Sequence, residues 1–109
     1  VILVEGLFLL QDEALRNLFH LKVYVEACEA VQLQRRIVRD GRERGYTRDQ
    51  VLYQWENHVM PAYREHLLPY RNHCDIHVVN ESRFERGLHV LRDHLAQHAG
   101  IAVPLGEPL

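Results

Sequence analysis

The sequence of 109 residues predicts an α/β fold, in which helices cover a parallel β-sheet. Three short apolar stretches are typical of strands, and the stretches between them carry apolar residues at helical spacing. Strands that alternate with helices are joined by right-handed crossovers, which make neighbouring strands parallel. Because three strands are few for such a sheet, we expect a partial domain over residues 1–99 and a flexible tail over residues 100–109.

The first predicted elements alternate between strand and helix. Residues 1–4 form a β-branched apolar run that is typical of a buried strand. A buried strand seldom begins a chain, so we expect an N-terminal part of the domain to be missing. Asp12 is a good N-cap for a short helix over residues 13–19, and residues 21–25 form the second predicted strand.

The second half is predicted to be mostly helical. Thr47 can cap one helix, and Pro61 starts or kinks a further helical stretch over residues 62–68. Residues 76–79 form the third predicted strand. Ser82 is the predicted N-cap of the last helix, whose apolar residues repeat at helical spacing.

A basic helix precedes Thr47, and we expect it to run to about Arg44 and to end at Gly45. Helical geometry places its arginines and its apolar residues on opposite arcs. The outward arc holds Arg35, Arg36, Arg39 and Arg42, and the inward arc holds Ala30, Leu33 and Ile37. Planar guanidinium groups suit phosphate, although a solvated face whose ion partners are Glu29, Asp40 and Glu43 would show the same pattern.

The composition narrows the function classes. A net charge of −2 argues against general nucleic-acid or membrane binding. Two cysteines without a signal-peptide pattern predict a reduced, cytoplasmic setting, and no apolar run approaches the roughly 20 residues that cross a membrane. Histidine and cysteine pairs within residues 73–77 and 94–98 have metal-ligand spacing, but we expect solvated or hydrogen-bonded histidines there rather than a zinc site.

Glu5 is a candidate metal-binding residue. Ligands of parallel α/β sheets bind beyond the carboxyl ends of the strands, and Glu5 directly follows the first predicted strand. A carboxylate at that point can hold Mg²⁺ or its water shell in enzymes that use nucleoside triphosphates. An ordinary transition from strand to turn would have the same sequence.

The order of these features resembles the uridine kinase family, within the wider phosphoribulokinase and uridine kinase group of P-loop proteins. The resemblance covers about residues 1–82, and its most specific motif is Arg-x-x-Arg-Asp-x-x-x-Arg-Gly. The matching residues are Val-Ile-Leu-Val-Glu5-Gly6, Asp12-Glu13…Arg16-Asn17-Leu18-Phe19, Lys22-Val-Tyr-Val25, Arg35-Arg36-Ile-Val-Arg39-Asp40…Glu43-Arg44-Gly45, Gln54, Pro61-Ala62, Pro69 and Asp75-Ile76.

The resemblance implies a partial P-loop fold and a kinase that uses ATP and Mg²⁺. Such kinases transfer the γ-phosphoryl group of ATP to the 5′-hydroxyl of uridine or cytidine, under a mobile arginine-rich lid that would cover about residues 35–48 here. By position, the implied site residues are Glu5 for the metal, Arg36 and Arg39 for catalysis, Arg39, Arg44 and Arg83 for ATP, and Arg36, Tyr46 and Gln54 for the substrate.

The sequence departs from the family at two points. Tyr46 stands where uridine kinases commonly carry an arginine, so another acceptor, such as a phosphorylated sugar or pantothenate, stays open. No Gly-x-x-x-x-Gly-Lys-[Ser/Thr] loop occurs in the 109 residues, so we expect the chain alone to be inactive.

A non-catalytic half-domain is the third hypothesis, because the strand predicted for residues 1–4 needs a neighbour. The expected partners are a small hydroxyl substrate and the missing N-terminal half of the domain, while the oligomeric state stays open.

Overall fold

The structure, a computed structural model, describes residues 1–100 and confirms the α/β class. The predicted tail from residue 101 onward lies outside the described residues. In chain order the elements are α1 (Glu13–Arg16), β1 (Val23–Glu26), α2 (Glu29–Arg44), α3 (Arg48–Gln54), a π-helical turn (Trp55–Val59), α4 (Met60–His66), a 3₁₀ turn (Leu68–His73), β2 (Ile76–Val79) and α5 (Phe84–His98). The helices that the structure describes include none with the length and apolar character needed to cross a membrane.

The sheet of the described residues has two parallel strands, with Val23 opposite Ile76 and Glu26 opposite Val79. The prediction of three strands is therefore not confirmed. Residues 1–4 have no regular secondary structure, and even the least exposed of them, Val4, is 49% exposed. The physical reason is that a strand needs a neighbour for its backbone hydrogen bonds, and nothing in residues 1–100 pairs with this run.

Helices pack on both faces of the sheet, as predicted. Successive residues of a strand face opposite sides. Val78 packs under α5. Gly87 of that helix lies so close that a Cβ atom at position 87 would be 3.5 Å from Val78 Cγ1. Tyr24 faces the other side and is 7% exposed; its hydroxyl lies 2.6 Å from that of Tyr63 in α4. Burial, followed by this hydrogen bond, raises the pKa of Tyr24.

Most predicted helix boundaries that depend on local hydrogen bonds are confirmed. Asp12 Oδ1 accepts from the Leu15 N–H, although α1 ends three residues earlier than predicted. α2 ends at Gly45, which has a left-handed φ of 68°. Thr47 and Gln50 form a reciprocal capping box at the start of α3.

Other boundaries differ from the predictions. α5 begins at Phe84, so Ser82 is not its N-cap; the preceding residue, Arg83, makes no side-chain capping bond. The strand predicted over residues 21–25 is shifted to Val23–Glu26. The 3₁₀ turn at Leu68–His73 was not predicted; it begins beside Pro69, which ends the α-helical pattern.

Pro61 produces a wider turn instead of a simple kink. The Met60 N–H donates to the Trp55 carbonyl oxygen, five residues earlier, which is the bond of a π-helix. Pro61 has no N–H, and in an α-helix its ring would clash with the carbonyl group of Asn57. One extra residue in the turn relieves this clash and joins α3 to α4.

Candidate functional site

α2 packs on α3 through a face that differs from the predicted one. Leu33 and Ile37 are half-buried as expected, but Ala30 is exposed. The only residue of α2 that is fully buried is Asp40, at 0% exposure. Positions 33, 37 and 40 lie on one arc of a helix, so the inward face ends in a carboxylate.

Arg39 makes an ion pair with its neighbour on α2. Its Nε donates to Asp40 Oδ1 at 3.1 Å, while its side chain stays 50% exposed. Asp40 is one of the ion partners expected if the arginines of α2 formed only a solvated face. The described residues offer the Nη groups of Arg39 no further hydrogen bond, so those groups are open to an anion.

Arg36 leans toward α3 rather than into solvent. Its guanidinium carbon lies 6.0 Å from the ring centroid of Trp55, which is 5% exposed. This is a cation–π distance. Trp55 directly follows Gln54, the last residue of α3. The contact therefore brings Arg36 to the end of the helix that carries Gln54, and both are predicted substrate-binding residues.

Tyr46 and Gln54 line one groove of about 570 Å³. The remaining lining residues are Asp49, Gln50, Tyr53, His58 and Val59. None of the lining residues is an arginine or lysine. Tyr53 and His58, whose ring centroids are 6.0 Å apart, were not predicted for the site. Tyr53 and His58 are five residues apart, a spacing that fits a π-helical turn. The sequence pattern alone does not reveal that turn.

The other predicted site residues are exposed. Arg44 lies in the last turn of α2, and Arg83 precedes α5. Glu5 lies in a segment without regular structure. Within residues 1–100 none of these three side chains makes a hydrogen bond or an ion pair, so the structure does not join Glu5 or Arg83 to the groove.

A metal would find few ligands in the described part of the chain. There, no three histidine, cysteine, aspartate or glutamate side chains are close enough together to hold an ion. Glu5 could supply a single carboxylate to a Mg²⁺ ion that keeps most of its waters, which is the usual habit of this ion.

The carboxyl ends of both strands are fixed by arginines. Glu26, at the end of β1, accepts from Arg71 Nε at 2.8 Å and from its Nη2 at 2.9 Å. This hydrogen-bonded pair lowers the pKa of Glu26. Arg35 Nη1 donates to the Asn80 carbonyl oxygen at 2.7 Å, which ties α2 to the end of β2. The edge where α/β proteins bind ligands is thereby held in place.

Comparisons with known proteins agree on one family. The family model described as Phosphoribulokinase / Uridine kinase family matches residues 1–84. A uridine kinase of Brevibacillus brevis is 40% identical over 86 residues, which make up 79% of this chain and 40% of the relative. A uridine kinase of Vibrio atlanticus is 37% identical over 97 residues, or 89% of this chain and 46% of the relative.

A more distant relative is the uridine-cytidine kinase A of Dictyostelium discoideum, which is 33% identical over 95 residues, or 87% of this chain and 19% of the relative. The chain thus spans less than half the length of each of these proteins. Since the family match runs from the first residue through β2, over most of the chain, the chain belongs to the phosphoribulokinase and uridine kinase family.

Proposed function

We propose that the protein containing this chain is an ATP-dependent nucleoside kinase that phosphorylates the 5′-hydroxyl of uridine or cytidine. The observation that carries the proposal is the shared groove of Tyr46 and Gln54. Arg36 contacts Trp55, the residue that follows Gln54 in the chain. The family and the names of the relatives support it. The activity of the whole protein is part of the proposal, because the chain spans less than half the length of those relatives.

Phosphoryl transfer asks a protein mainly for positioning and for stabilisation of charge. In the proposal, Arg36 and Arg39 stabilise the transferring group, while Arg44 and Arg83 bind ATP. α2 and the turn after it, about residues 35–48, act as the lid. Mg²⁺, when bound, neutralises charge on the phosphates, and Glu5 takes part in its water shell.

The groove favours an uncharged acceptor. Its lining residues include the carboxylate of Asp49 and no arginine or lysine. A phosphorylated sugar or pantothenate would bring negative charge toward Asp49, and His58 is the one lining side chain that can take up a positive charge. Gln54 can instead donate and accept hydrogen bonds with the hydroxyl and amide groups of a nucleoside. The Gln50 side-chain oxygen accepts in the capping box, and its amide N–H groups can donate.

The test is an acceptor screen on the protein expressed over its full reading frame. ATP and Mg²⁺ are supplied with uridine, cytidine, pantothenate or a sugar phosphate, and formation of ADP and of the phosphorylated product is measured. The proposal expects turnover with uridine or cytidine. Turnover with an anionic acceptor alone would reassign the substrate, and no turnover with any acceptor would favour the non-catalytic half-domain.

A further inference from the structure

Asp40 is a buried charged residue to which the proposed function gives no role. It is 0% exposed, and its Oδ1 accepts from Arg39 Nε. Its Oδ2 is also buried and has no hydrogen-bond partner among the described residues. A buried carboxylate oxygen without a donor is costly, so such an atom calls for an explanation in the working protein.

The position of Asp40 on α2 supplies one. It follows Arg36 by four residues and precedes Arg44 by four, and residues four apart on a helix lie on the same face. Arg39 is its direct neighbour. Asp40 therefore shares one helix face with Arg36 and Arg44 and is bonded to Arg39, and these are the three arginines of α2 that the proposed function assigns to phosphate.

The ion pair of Asp40 and Arg39 differs from a second ion pair in the same molecule in the number of its hydrogen bonds. Glu26 binds Arg71 in a bidentate manner, through Nε and Nη2. Asp40 binds Arg39 through Nε alone. The monodentate pair leaves both Nη groups of Arg39 and one oxygen of Asp40 without partners among the described residues.

We propose that Asp40 is a positioning residue for the arginines of α2. Its buried carboxylate holds Arg39 by the Nε edge and thereby presents the Nη groups to the triphosphate of ATP. Its second oxygen accepts a guanidinium N–H from an arginine one turn away, Arg36 or Arg44, when these side chains gather around the phosphates. This inference rests on the proposed kinase function.

The first experiment compares Asp40→Asn with Glu29→Gln in the protein expressed over its full reading frame. Glu29 is an exposed acid of the same helix that lies outside the lid, so its variant is a matched control for loss of one negative charge. NMR follows the Nε–H signal of Arg39, which is assigned by its loss in Arg39→Lys. Calorimetry measures the Kd for inorganic triphosphate and for ATP with Mg²⁺.

We expect Asp40→Asn to speed hydrogen exchange of the Arg39 Nε–H and to weaken triphosphate binding, each by roughly tenfold or more, as for loss of a hydrogen bond to a charged group. In kinetic assays kcat should fall while the KM for the nucleoside changes less than about twofold. Glu29→Gln should leave all of these values unchanged. An unchanged Arg39 signal and an unchanged Kd in Asp40→Asn would overturn the inference.

A double variant tests whether Asp40 acts through Arg39. Arg39→Ala with Asp40→Asn should bind triphosphate no more weakly than Arg39→Ala alone, whereas additive losses would overturn the inference. Should Asp40→Asn fail to fold, Arg39→Lys serves instead, because it keeps the charge but lacks Nε. It should bind triphosphate about as weakly as Arg39→Ala, and wild-type affinity would again overturn the inference.

The two proposals fail separately. If the wild-type protein phosphorylates no acceptor, the kinase function fails. The Arg39 Nε–H signal and the binding of inorganic triphosphate then still decide on Asp40.

Discussion

Glu26 and Arg71 show how two residues that are 45 positions apart fix the end of a strand. Their bidentate hydrogen bonds lower the pKa of Glu26 and raise that of Arg71. The pKa of Glu26 is thus lower in the folded than in the unfolded chain. The stabilisation it gives is present above the unfolded carboxyl pKa and is lost as the pH falls through the folded pKa.

Arg71→Met should therefore lower the Tm at neutral pH, because it leaves Glu26 without its partner. The difference from wild type should shrink as the pH falls below about 4.3, the ordinary glutamate pKa, and on through the lower pKa of Glu26 in the folded protein, because Glu26 then takes up a proton in both proteins. Thermal melts followed by circular dichroism across this range would measure it. Arg64→Met removes the same charge from an exposed site of α4 and serves as the control. A Tm difference that does not depend on pH would contradict the prediction.

The sequence predicted some residues of the candidate site and missed others. Gln54 matches the family pattern and Tyr46 departs from it, and both line one groove. Tyr53 and His58 were missed because their alignment depends on the π-helical turn. In sequence, Asp40 is a possible ion partner on a solvated face, and a carboxylate among arginines gives no sign that the helix turns it inward.

At the scale of elements, predictions succeeded mainly where the deciding contacts are local. Asp12, Gly45 and Thr47 act on backbone groups within a few residues. Their sequence positions therefore predict the start of α1, the end of α2 and the start of α3. The strand predicted over residues 1–4 failed because strand formation needs a distant partner. The cap predicted at Ser82 failed although its contacts would be local, and nothing in the structure explains why α5 starts one residue later than predicted.

The capping box of α3 gives a prediction at this scale. Thr47→Ala removes the oxygen that accepts the Gln50 N–H and should lower the free energy of unfolding by about 1 kcal/mol. Urea unfolding, followed by circular dichroism, would measure the change. Thr47→Ser keeps the oxygen and should retain most of the stability. Equal losses in the two variants would show that the methyl group of Thr47, and not the cap, matters.

At the scale of the whole molecule, substitution of Arg36 or Arg39 should lower activity much more than it lowers stability. Either substitution by alanine should lower kcat by roughly 10² to 10³, as for loss of a group that stabilises charge in the transition state. Arg39 donates the hydrogen bond to the buried Asp40, so Arg39→Ala should also lower the Tm. The double variant Arg39→Ala with Asp40→Asn removes the unpaired charge and should recover part of the Tm but not of kcat. Arg36→Ala should also lower the Tm slightly, because it removes the contact with Trp55.

Steady-state kinetics and thermal melts of the protein expressed over its full reading frame would check both variants. Arg64→Ala changes an exposed arginine of α4, outside the lid, and it provides the control. Recovery of kcat together with the Tm in Arg39→Ala with Asp40→Asn would count against the catalytic role of Arg39.

The 109 residues expressed alone should not phosphorylate uridine or cytidine, because they contain no glycine-rich loop to hold the phosphates of ATP. Incubation with ATP, Mg²⁺ and each nucleoside, followed by separation of the products, would test this. The same assay on the full reading frame is the positive control. Phosphorylation by the 109 residues would contradict the prediction.

The turn at Gly45 has a consequence for chemical synthesis. Its φ of 68° is left-handed, and a Cβ built there would meet no atom within 4 Å. Gly45→Ala should cost about 1 kcal/mol through backbone strain alone, whereas the mirror-image substitution Gly45→D-Ala, introduced by peptide ligation, should be stabilising. The left-handed backbone of Gly45 thus sets the direction in which the chain leaves α2 and brings Tyr46 to the groove. A D-amino acid at this position favours the same backbone conformation and would restrict the turn to it.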